Sequence, residues 1–451
     1  MPEWWAGQVQ AGPLDEKYLH DWSGTRYGTP AGLARPASTQ EVASLVADCQ
    51  RARQALAVQG GRTGVSGGAA PGDSEVVLSL ERLDQVEEFD RRAGIVVAGA
   101  GVILADLQTM VEAEGWMFPI DLGSRGSCQL GGNAATNAGG CRVVKYGNTR
   151  DVILGLEAVL ADGSVIGPPN KLVKNNSGYS LSQLLVGSEG TLGIITRLAL
   201  KLVPKPAARR SFLLALAPDA GLQTVLQRCK FGLGGALSAA EAMWPDFIEG
   251  VVAARGAGRA LPASFAGRPA LLVEVEGESH DVLARLTEDF ASELMEQGLV
   301  LDAILPASER DAQQLWMLRE SIPELQAPIR PYVGFDLGMD PAGYESFVLL
   351  AKAQLQKDLP AVKSYFFGHV GDGNLHALVG PCRSPEEMQL AEQALYRHLK
   401  PLETCVTAEH GVGRKKKSYL ASSRSAPDIA AMKAIKHSLD PLGILNPGRI
   451  F

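Results

Sequence analysis

Two histidines lie close together in the segment FFGHVGDGNLHALVG, which spans residues 366–380. They are His369 and His376, and the whole chain contains only seven histidines. Imidazoles at this spacing can bind a metal, exchange protons or simply flank a tight turn. If Asp372-Gly373 forms a two-residue type I′ turn, the hairpin places His369 directly opposite His376. Opposed residues have Cβ atoms about 4.5–5.5 Å apart, so this geometry allows both rings to reach one cation.

A carboxylate and another imidazole follow in the segment VTAEHGVGRKKK. Glu409 and His410 are adjacent there, and adjacent side chains of an extended segment point to opposite sides. Only one of them can readily join His369 and His376. A His-His-Glu set with open coordination positions is typical of a catalytic divalent metal, and it leaves His410 for proton transfer. From the spacing alone, surface histidines without a metal stay the alternative interpretation.

A glycine-rich loop, GGRTGVSGGAAPG at 60–72, lies between two segments with the pattern of buried strands, at 55–59 and 76–80. A Rossmann motif must open a helix and a Walker loop needs Gly-Lys, so neither fits. The segment GVSGG matches the G-x-S-x-G nucleophile elbow, but no helical pattern follows the serine, which disfavours a serine hydrolase. Converging backbone N–H groups, with Arg62 as countercharge, instead predict a pyrophosphate site.

Two further glycine-rich stretches follow. The first, at 119–147, combines small residues with asparagine and threonine, which suits backbone that lies flat against a large planar ligand. A strand pair around an Asp-Gly turn is predicted at 153–166, and GSEGTLGIIT then leads into another strand that ends near 206. Residues 1–206 are therefore predicted to form one ligand-binding α+β unit.

Helices and strands that must position these motifs are also visible in the sequence. An S-x-x-E capping box begins a helix that extends from 38 to about 53. Beyond residue 210, amphipathic helices at 286–299 and 385–402 alternate with strands such as 270–277. This pattern predicts a second domain built from a sheet and helices, and an α+β fold class for the whole chain.

Composition excludes several classes of protein. The formal net charge of -7 over 451 residues disfavours a nucleic-acid partner, which requires a basic face. The six cysteines show no C-x-x-C and are predicted to be reduced thiols. The N-terminus MPEWWAGQVQ lacks the pattern of a signal peptide. We expect a cytoplasmic protein, with peripheral membrane contact through the short basic run GRKKKS as the alternative.

Taken together, the motifs are more specific than any one of them. GGRTGVSGG, GSCQLGGNAATNAGG, GSEGTLGIIT, GHVGDGNLH, EHGVG and the terminal NPGRIF resemble, in order and spacing, the FAD-linked dehydrogenases of D-2-hydroxy acids in the vanillyl-alcohol oxidase superfamily. The resemblance covers nearly the whole chain. It implies an FAD-binding domain at 1–206, an α+β cap domain with the substrate and metal site at 207–420, and a C-terminal segment at 421–451 that returns to the FAD domain.

The same resemblance implies the residues that surround the cofactor. The first glycine loop would hold the pyrophosphate, the second would line the flavin, the third would contact the nucleotide, and one tail residue would close the site. These residues are Gly60, Gly61, Arg62, Thr63, Gly64, Val65, Gly132, Asn133, Thr136, Asn137, Gly139, Gly140, Gly190, Gly193, Ile194 and Asn446. The motif GSCQLGGNAATNAGG, at 126–140, is called the flavin stretch below. Neither it nor the first glycine loop contains histidine, so FAD is predicted to bind noncovalently.

The resemblance also implies the chemistry. His369, His376 and Glu409 would bind a divalent metal, often zinc, which lowers the pKa of the substrate hydroxyl. His410 would take the hydroxyl proton while the C2 hydride leaves for flavin N5. Arg319, in WMLRESIP, would hold the substrate carboxylate through a bidentate pair. Apart from the resemblance, we expect a homodimer, with a quinone, an electron-transfer flavoprotein or a cytochrome as electron acceptor.

Three positions depart from the hydroxyglutarate enzymes of this family. Pro323 replaces a threonine, Gly334 replaces a lysine and Leu378 replaces an asparagine. The loss of three polar side chains predicts a substrate with a neutral side chain, either small as in D-lactate or aromatic as in D-mandelate, rather than D-2-hydroxyglutarate. The alternatives are D-2-hydroxyglutarate itself, a flavin oxidase that uses oxygen, and a metal-dependent hydrolase without flavin.

Overall fold

The computed structural model describes Trp5 and residues 7–255 and 261–451, so part of the N-terminal sequence MPEWWAGQVQ lies outside the described residues. The chain divides into two units. The first comprises Met1–Gly140, Gly147–Lys205 and Glu409–Phe451, and the second comprises Cys141–Tyr146 and Pro206–Ala408. The chain thus returns to the first unit at Glu409, before the position 421 that the sequence suggested. Within the described ranges, no helix is long and apolar enough to cross a membrane.

The strands are numbered along the chain. They are β1 Val9–Ala11, β2 Gly32–Ala34, β3 Leu56–Gln59, β4 Val76–Ser79, β5 Val86–Asp90, β6 Ile95–Gly99, β7 Trp116–Met117, β8 Ile153–Val159, β9 Val165–Ile166, β10 Ile194–Lys201, β11 Val203–Pro204, β12 Ala208–Leu216, β13 Leu237–Met243, β14 Ala270–Gly277, β15 Val300–Ile304, β16 Val333–Gly338, β17 Lys363–Gly368 and β18 Asn374–Gly380.

The α-helices are numbered in the same way. They are α1 Thr39–Ala52, α2 Leu104–Glu112, α3 Leu130–Thr136, α4 Val143–Tyr146, α5 Thr149–Val152, α6 Leu181–Leu185, α7 Leu222–Leu233, α8 Pro245–Arg255, α9 His280–Glu296, α10 Glu309–Glu320, α11 Ile322–Gln326, α12 Tyr344–Asp358, α13 Pro385–Tyr396, α14 Leu420–Ser423 and α15 Ala426–Leu439. The mixture of helices and sheets confirms the predicted α+β class.

The first unit contains a four-stranded sheet, a five-stranded sheet and a two-stranded ribbon. The four-stranded sheet has the order β1-β2-β4-β3, and β3 runs parallel to β4. The glycine-rich loop at 60–72 therefore joins two neighbouring strands, as predicted. The five-stranded sheet has the order β5-β6-β10-β8-β9 and is antiparallel. Its strands β6 and β10 are almost entirely buried, because both faces of the sheet are covered.

Local sequence signals account for several elements of this unit. The side chain of Ser38 accepts a hydrogen bond from the backbone N–H of Glu41, so Ser38 begins α1 as predicted. The strand pair at 153–166 is also confirmed, since β8 and β9 pair antiparallel. In the second unit, by contrast, the helix predicted at 385–402 ends at Tyr396. Pro401 rules out the last part of the predicted span, because the residue before a proline disfavours the helical conformation, but it does not explain the end at Tyr396.

The second unit is built on one antiparallel sheet of seven strands, in the order β15-β12-β14-β13-β17-β18-β16. Strands β14 and β18 consist almost entirely of buried residues. Helix α9 packs against β12, where the rings of Phe290 and Phe212 meet edge to face with centroids 6.3 Å apart. Aromatic contacts of this kind add to the hydrophobic free energy that holds the helix on the sheet.

The predicted two-residue turn at Asp372-Gly373 is wrong. In the observed register, His376 pairs with Phe367 rather than with His369, and a loop at 369–373 joins β17 to β18. A type I′ turn requires positive φ at both central residues, but only Gly373 of the two has it, with φ 94°. The loop opens because the Gly371 N–H donates to the carbonyl of Ala240 on β13, a long-range bond that the local sequence does not reveal.

Candidate functional site

Two of the glycine-rich segments are packed backbone to backbone in the first unit. A Cβ atom added to Gly60 would lie 3.4 Å from the Cα of Gly132, and one added to Gly61 would lie 2.1 Å from the carbonyl oxygen of Ser127. Side chains at these positions would force the two segments apart. Glycine is therefore required here for close approach, which is how backbone surrounds a large cofactor.

The loop at 60–65 offers a row of hydrogen-bond donors. In the part of the chain that the structure describes, no backbone N–H of these residues donates to a protein acceptor. Arg62 has φ 58°, and a left-handed residue beside extended or right-handed ones turns successive N–H groups toward one point. The Arg62 side chain lies 3.9 Å from Glu81 and stacks over the ring of Tyr18. These donors fit the pyrophosphate that the resemblance predicts.

The flavin stretch contains two further polar atoms that fit a cofactor. One is Nδ2 of the predicted flavin residue Asn133, which is buried and has no hydrogen-bond partner in the described part of the chain. Gln129, at the start of α3, is 8% exposed, and among the described residues its Oε1 is buried without a hydrogen-bond partner. Such an acceptor is costly unless a ligand or water satisfies it. The sequence analysis did not select Gln129. By contrast, the predicted flavin residues Thr136 and Asn137 bond locally, to the carbonyl of Gly132 and to the N–H of Arg150.

The third glycine motif holds the segment that contains His410. Glu189 is partly buried and accepts hydrogen bonds from the N–H groups of Val412 and Gly413, at 2.7 and 2.8 Å. Burial nevertheless raises the pKa of the Glu189 carboxyl, although these two donors favour its charged form. Ser66 Oγ donates to the carbonyls of His410 and Gly411, so the serine of the elbow-like motif supports backbone and is not a nucleophile.

Asn446 ties the C-terminal tail to two of these motifs. Its Oδ1 accepts from the N–H of Val58 at 2.8 Å, and its Nδ2 donates to the carbonyl of Glu189 at 2.7 Å. The adjacent Gly190 has no room for a side chain, because an added Cβ would lie 2.8 Å from Asn446 Nδ2. Gly193 and Ile194 follow, and Ile194 begins the buried strand β10. The amide of Asn446 is thus engaged with protein backbone.

Glu409 and His410 form the catalytic candidates of the first unit. The Glu409 carboxylate accepts a hydrogen bond of 3.3 Å from the N–H of Gly140, which ends the flavin stretch. The other carboxylate oxygen lies 3.5 Å from Nε2 of His410, and both side chains are partly exposed. Gly140 itself has φ 95°, and an added Cβ would lie 1.9 Å from the carbonyl of Asp121. The flavin stretch and the Glu409-His410 pair are therefore in direct contact.

The histidines of the opening motif lie together in the second unit. The rings of His369 and His376 have centroids 5.2 Å apart and meet at 86°. His376 is on β18, opposite Phe367 on β17 and Asp336 on β16. A carboxylate oxygen of Asp336 lies within 4.8 Å of a ring nitrogen of His376. Although the predicted register was wrong, the two histidine rings still lie side by side.

A buried carboxylate lies behind His369. Glu241 on β13 has no exposed surface, and its Oε1 is 2.7 Å from Nδ1 of His369. Its Oε2 accepts from Nε of Arg319 at 2.9 Å and lies 2.8 Å from a terminal guanidinium nitrogen of Arg319. Burial favours a raised pKa for Glu241, but the adjacent His369 and Arg319 outweigh it and leave this pKa below its ordinary value. The sequence analysis missed Glu241.

Asp336 anchors the segment that precedes Glu409. Its Oδ1 accepts from the side chain of Asn374, and its Oδ2 accepts from the hydroxyl of Thr407 and the N–H of Ala408, at 2.8 and 3.1 Å. Asp336 is fully buried. Because these donors bond to both of its oxygens, the Asp336 carboxylate fixes the backbone at Ala408 and the side chain of Asn374 at the start of β18.

The three positions predicted to differ from the hydroxyglutarate enzymes lie in the second unit. Leu378 follows His376 by two residues on β18 and is 5% exposed. It opposes Gly334 on β16 and Tyr365 on β17, so these positions share a face of the sheet with His376. Pro323 lies in α11. Leu378 and Tyr365 belong to a buried apolar cluster, so the sheet is apolar on this side of His376, although Asp336 lies directly opposite it.

Comparison with known proteins identifies FAD-binding families over both parts of the chain. Residues 30–167 match the family model described as FAD binding domain, and residues 205–450 match that of FAD linked oxidases, C-terminal domain. The chain is 38% identical over 455 residues to D-2-hydroxyglutarate dehydrogenase of Xanthomonas citri pv. viticola, covering 98% of this chain and 94% of the relative. It is 38% identical to the mitochondrial D-2-hydroxyglutarate dehydrogenase of Bos taurus, covering 95% of this chain and 78% of the relative.

Similarity to solved structures identifies the fold. A p-cresol methylhydroxylase with bound substrate superposes with a TM-score of 0.75 at 16% identity, covering 94% of this chain and 89% of that chain. A 4-ethylphenol oxidase from Gulosibacter chungangensis gives 0.74 at 19% identity, covering 97% and 91%. The fold is thus the two-domain FAD-binding fold of the vanillyl-alcohol oxidase type. Within it, the chain belongs to the family of FAD-linked D-2-hydroxy acid dehydrogenases.

The space beside Gly132 provides a test of where the cofactor lies. Apart from the adjoining backbone of α3, no atom of the described residues lies within 4 Å of a Cβ added to Gly132, so Gly132→Ala is expected to stabilise the apoprotein by about 0.4–1 kcal/mol. If the flavin occupies this space, the same methyl group is expected to weaken FAD binding about tenfold. Melting of the apoprotein and flavin titration measure the two effects separately.

Two matched variants control this test. Gly126→Ala also meets no protein atom within 4 Å and is expected to leave FAD affinity unchanged. Gly61→Ala places its methyl group 2.1 Å from a backbone carbonyl and is expected to destabilise even the apoprotein, by about 1–3 kcal/mol. Unchanged FAD affinity in Gly132→Ala would contradict the assignment of Gly132 to the flavin site.

Proposed function

We propose that the protein oxidises a D-2-hydroxy acid to the 2-oxo acid, with bound FAD as the hydride acceptor and a divalent cation, zinc in our proposal, at the substrate hydroxyl. The observation that carries the metal is the pair of rings, His369 and His376, with centroids 5.2 Å apart. Glu409 is proposed as the third ligand. Ala408, the residue before it, bonds to Asp336, which opposes His376 in the sheet.

The donor set fits such a cation. Two imidazoles and one carboxylate with open positions are typical of catalytic divalent sites, and the bond from His369 Nδ1 to a buried carboxylate is the usual support of a metal-binding histidine. A bound cation would lower the pKa of the substrate hydroxyl. FAD, when bound, supplies the hydride acceptor at flavin N5.

The remaining steps belong to side chains of this chain. Arg319 is proposed to hold the substrate carboxylate, and its charge is partly balanced by Glu241. His410 is proposed to take the hydroxyl proton, because its backbone is held by Ser66 and its ring lies beside Glu409. The converging N–H groups of residues 60–65 are proposed to hold the FAD pyrophosphate, and the absence of a histidine there supports noncovalent binding.

Two classes of substrate have specific support. The names of the relatives, D-2-hydroxyglutarate dehydrogenase at 33–38% identity, favour D-2-hydroxyglutarate, which is the better supported of the two. The apolar surface formed by Leu378, Gly334 and Tyr365 next to His376 favours a neutral side chain, as in D-lactate or D-mandelate. The ratio of kcat/KM for D-2-hydroxyglutarate to that for D-lactate and D-mandelate decides between them.

Removal of the metal tests the proposal directly. Dialysis against a chelator is expected to lower the rate of anaerobic flavin reduction by a D-2-hydroxy acid about a hundredfold, or roughly 2.7 kcal/mol. Zinc is expected to restore the rate, and L-2-hydroxy acids are expected to be inactive throughout. Full activity after chelation, with no metal detected in the protein, would contradict the metal role.

Other properties stay proposals from the sequence. A quinone, an electron-transfer flavoprotein or a cytochrome is proposed as electron acceptor, and the protein is proposed to be a cytoplasmic homodimer. Stoichiometric oxygen uptake with release of peroxide would instead favour the oxidase alternative. The flavin-free hydrolase is no longer proposed, since both matched family models describe FAD proteins.

A further inference from the structure

Glu241 is the one acidic residue in the strand LSAAEAM, β13, whose residues are all buried. The register that pairs Ala242 with Gly368 places Glu241 level with His369, just beyond the end of β17. Its two carboxylate oxygens face different partners, His369 at 2.7 Å and Arg319 at 2.8–2.9 Å. A buried carboxylate is retained only where such partners compensate its desolvation.

We propose that Glu241 is a positioning residue that fixes His369 for metal binding and Arg319 for binding the substrate carboxylate. This inference rests on the function proposed above. A carboxylate can only accept, so Nδ1 of His369 carries the hydrogen and the opposite nitrogen, Nε2, is the atom presented to a metal. The bond also fixes the orientation of the ring.

The same carboxylate determines how Arg319 can hold an anion. Nε and one terminal nitrogen of Arg319 face Glu241, so the side of the guanidinium between them is occupied. A substrate carboxylate must therefore approach the end formed by the two terminal nitrogens. The guanidinium carbon also lies 4.8 Å from the ring centroid of Phe367, which opposes His376 in the sheet. Phe367 thus helps to fix the plane in which Arg319 lies.

One carboxylate consequently holds a proposed metal ligand and the proposed anion-binding residue at a fixed separation. Loss of Glu241 is expected to affect two measurements together, the affinity for the metal and the KM for the hydroxy acid. A role limited to stability would change neither of them in protein that stays folded. This joint effect distinguishes a positioning residue from a buried charge that only stabilises the sheet.

Glu241→Gln in the FAD-loaded, full-length protein is the test. Its affinity for Zn²⁺ and Co²⁺, measured by competition with a chromophoric chelator, is expected to fall about 10- to 100-fold. KM for the hydroxy acid is expected to rise, and the Co²⁺ absorption spectrum is expected to change because the orientation of His369 is lost. Glu241→Asp keeps the charge with a shorter reach, so it is expected to restore part of both affinities.

Glu274→Gln is the matched control. Glu274 is 4% exposed on the neighbouring strand β14, and its partners are Arg142 and Ser238 rather than the histidines. This variant removes a buried charge from the same sheet and is expected to keep metal affinity and KM. Bound flavin and the melting temperature show which variants are folded. If Glu241→Gln does not fold, Glu241→Asp against Glu274→Asp supplies the same comparison.

The outcomes separate this inference from the proposed function. Wild-type metal affinity and KM in folded Glu241→Gln would overturn the positioning role while leaving the proposed function intact. Equal losses in the Glu241 and Glu274 variants would also overturn it, because the effect would then belong to any buried charge. A wild-type protein that binds no metal would overturn the proposed metal site itself, and the metal part of this inference with it, before any variant is compared.

Discussion

Replacing His410 with asparagine is expected to lower the rate of flavin reduction about 10³-fold, within the range of 10²–10⁴ typical for removal of a general base. Asparagine retains hydrogen-bonding ability but cannot accept a proton from an alcohol. The His410 backbone is held through the Ser66 hydroxyl, which does not depend on the His410 side chain. The variant is therefore expected to keep its fold, its FAD and its metal.

The measurement is anaerobic stopped-flow bleaching of the oxidised flavin at saturating hydroxy acid. Saturation matters because a loss confined to kcat indicates a missing step, whereas a loss confined to KM indicates weaker binding. His437→Asn, on the exposed surface of α15, is the matched control and is expected to reduce flavin at the wild-type rate. A His410→Asn rate within a few-fold of wild type would assign proton removal to another group.

Local sequence patterns predicted the elements that position the site. The Ser38 cap of α1, the strands on both sides of the first glycine loop and the strand pair β8-β9 depend on neighbouring residues alone, and all are observed, although Glu41 bonds to the N–H of Ala37 and does not complete the predicted capping box. Glycine content was equally informative. At Gly61 a side chain would meet the backbone of a segment more than sixty residues away, so the requirement for glycine is visible even where its partner is not.

Long-range partners explain what could not be predicted. The Asp-Gly pair at 372–373 favours a tight turn locally, but the bond from Gly371 to Ala240 opens the loop. Glu241 carries only a weak sequence signal, one acidic residue in an apolar strand, and its role depends on His369, which lies far along the chain. Gln129 gave no signal at all, because its significance lies in an acceptor that the protein does not satisfy.

The buried ion pair between Arg449 and Glu75 yields the largest expected effect on stability. Replacing Arg449 with methionine is expected to lower the free energy of unfolding by about 3–5 kcal/mol, because it leaves part of a buried carboxylate uncompensated. The Arg449 side chain has no exposed surface. Its two terminal nitrogens bond to the two oxygens of Glu75 at 2.8 and 3.0 Å. The remaining donors bond to the carbonyls of Gly68, Ala70 and Pro447, so all five N–H groups are used.

These partners explain why the Arg449→Met substitution is also expected to weaken FAD binding. Gly68 and Ala70 directly follow the proposed pyrophosphate loop, and Glu75 also accepts from the N–H of Gly72 and from Arg414. Arg449 therefore fixes the far end of the glycine-rich loop, and we expect the variant to lose FAD before it unfolds. Chemical denaturation measures the stability, and the ratio of flavin to protein absorbance measures FAD retention.

Two further variants make this prediction specific. Arg449→Lys keeps the charge but offers three donors instead of five, so its loss of stability is expected to lie between those of wild type and Arg449→Met. Arg91→Met removes an arginine from the exposed ion pair with Glu114 and is expected to change stability too little to measure. If Arg449→Met were as stable as Arg91→Met, the tail would be held by apolar packing and the bonds of Asn446. Because all five donors of Arg449 are satisfied by partners that are themselves buried or fixed, we expect Arg449→Met to be clearly less stable than Arg91→Met.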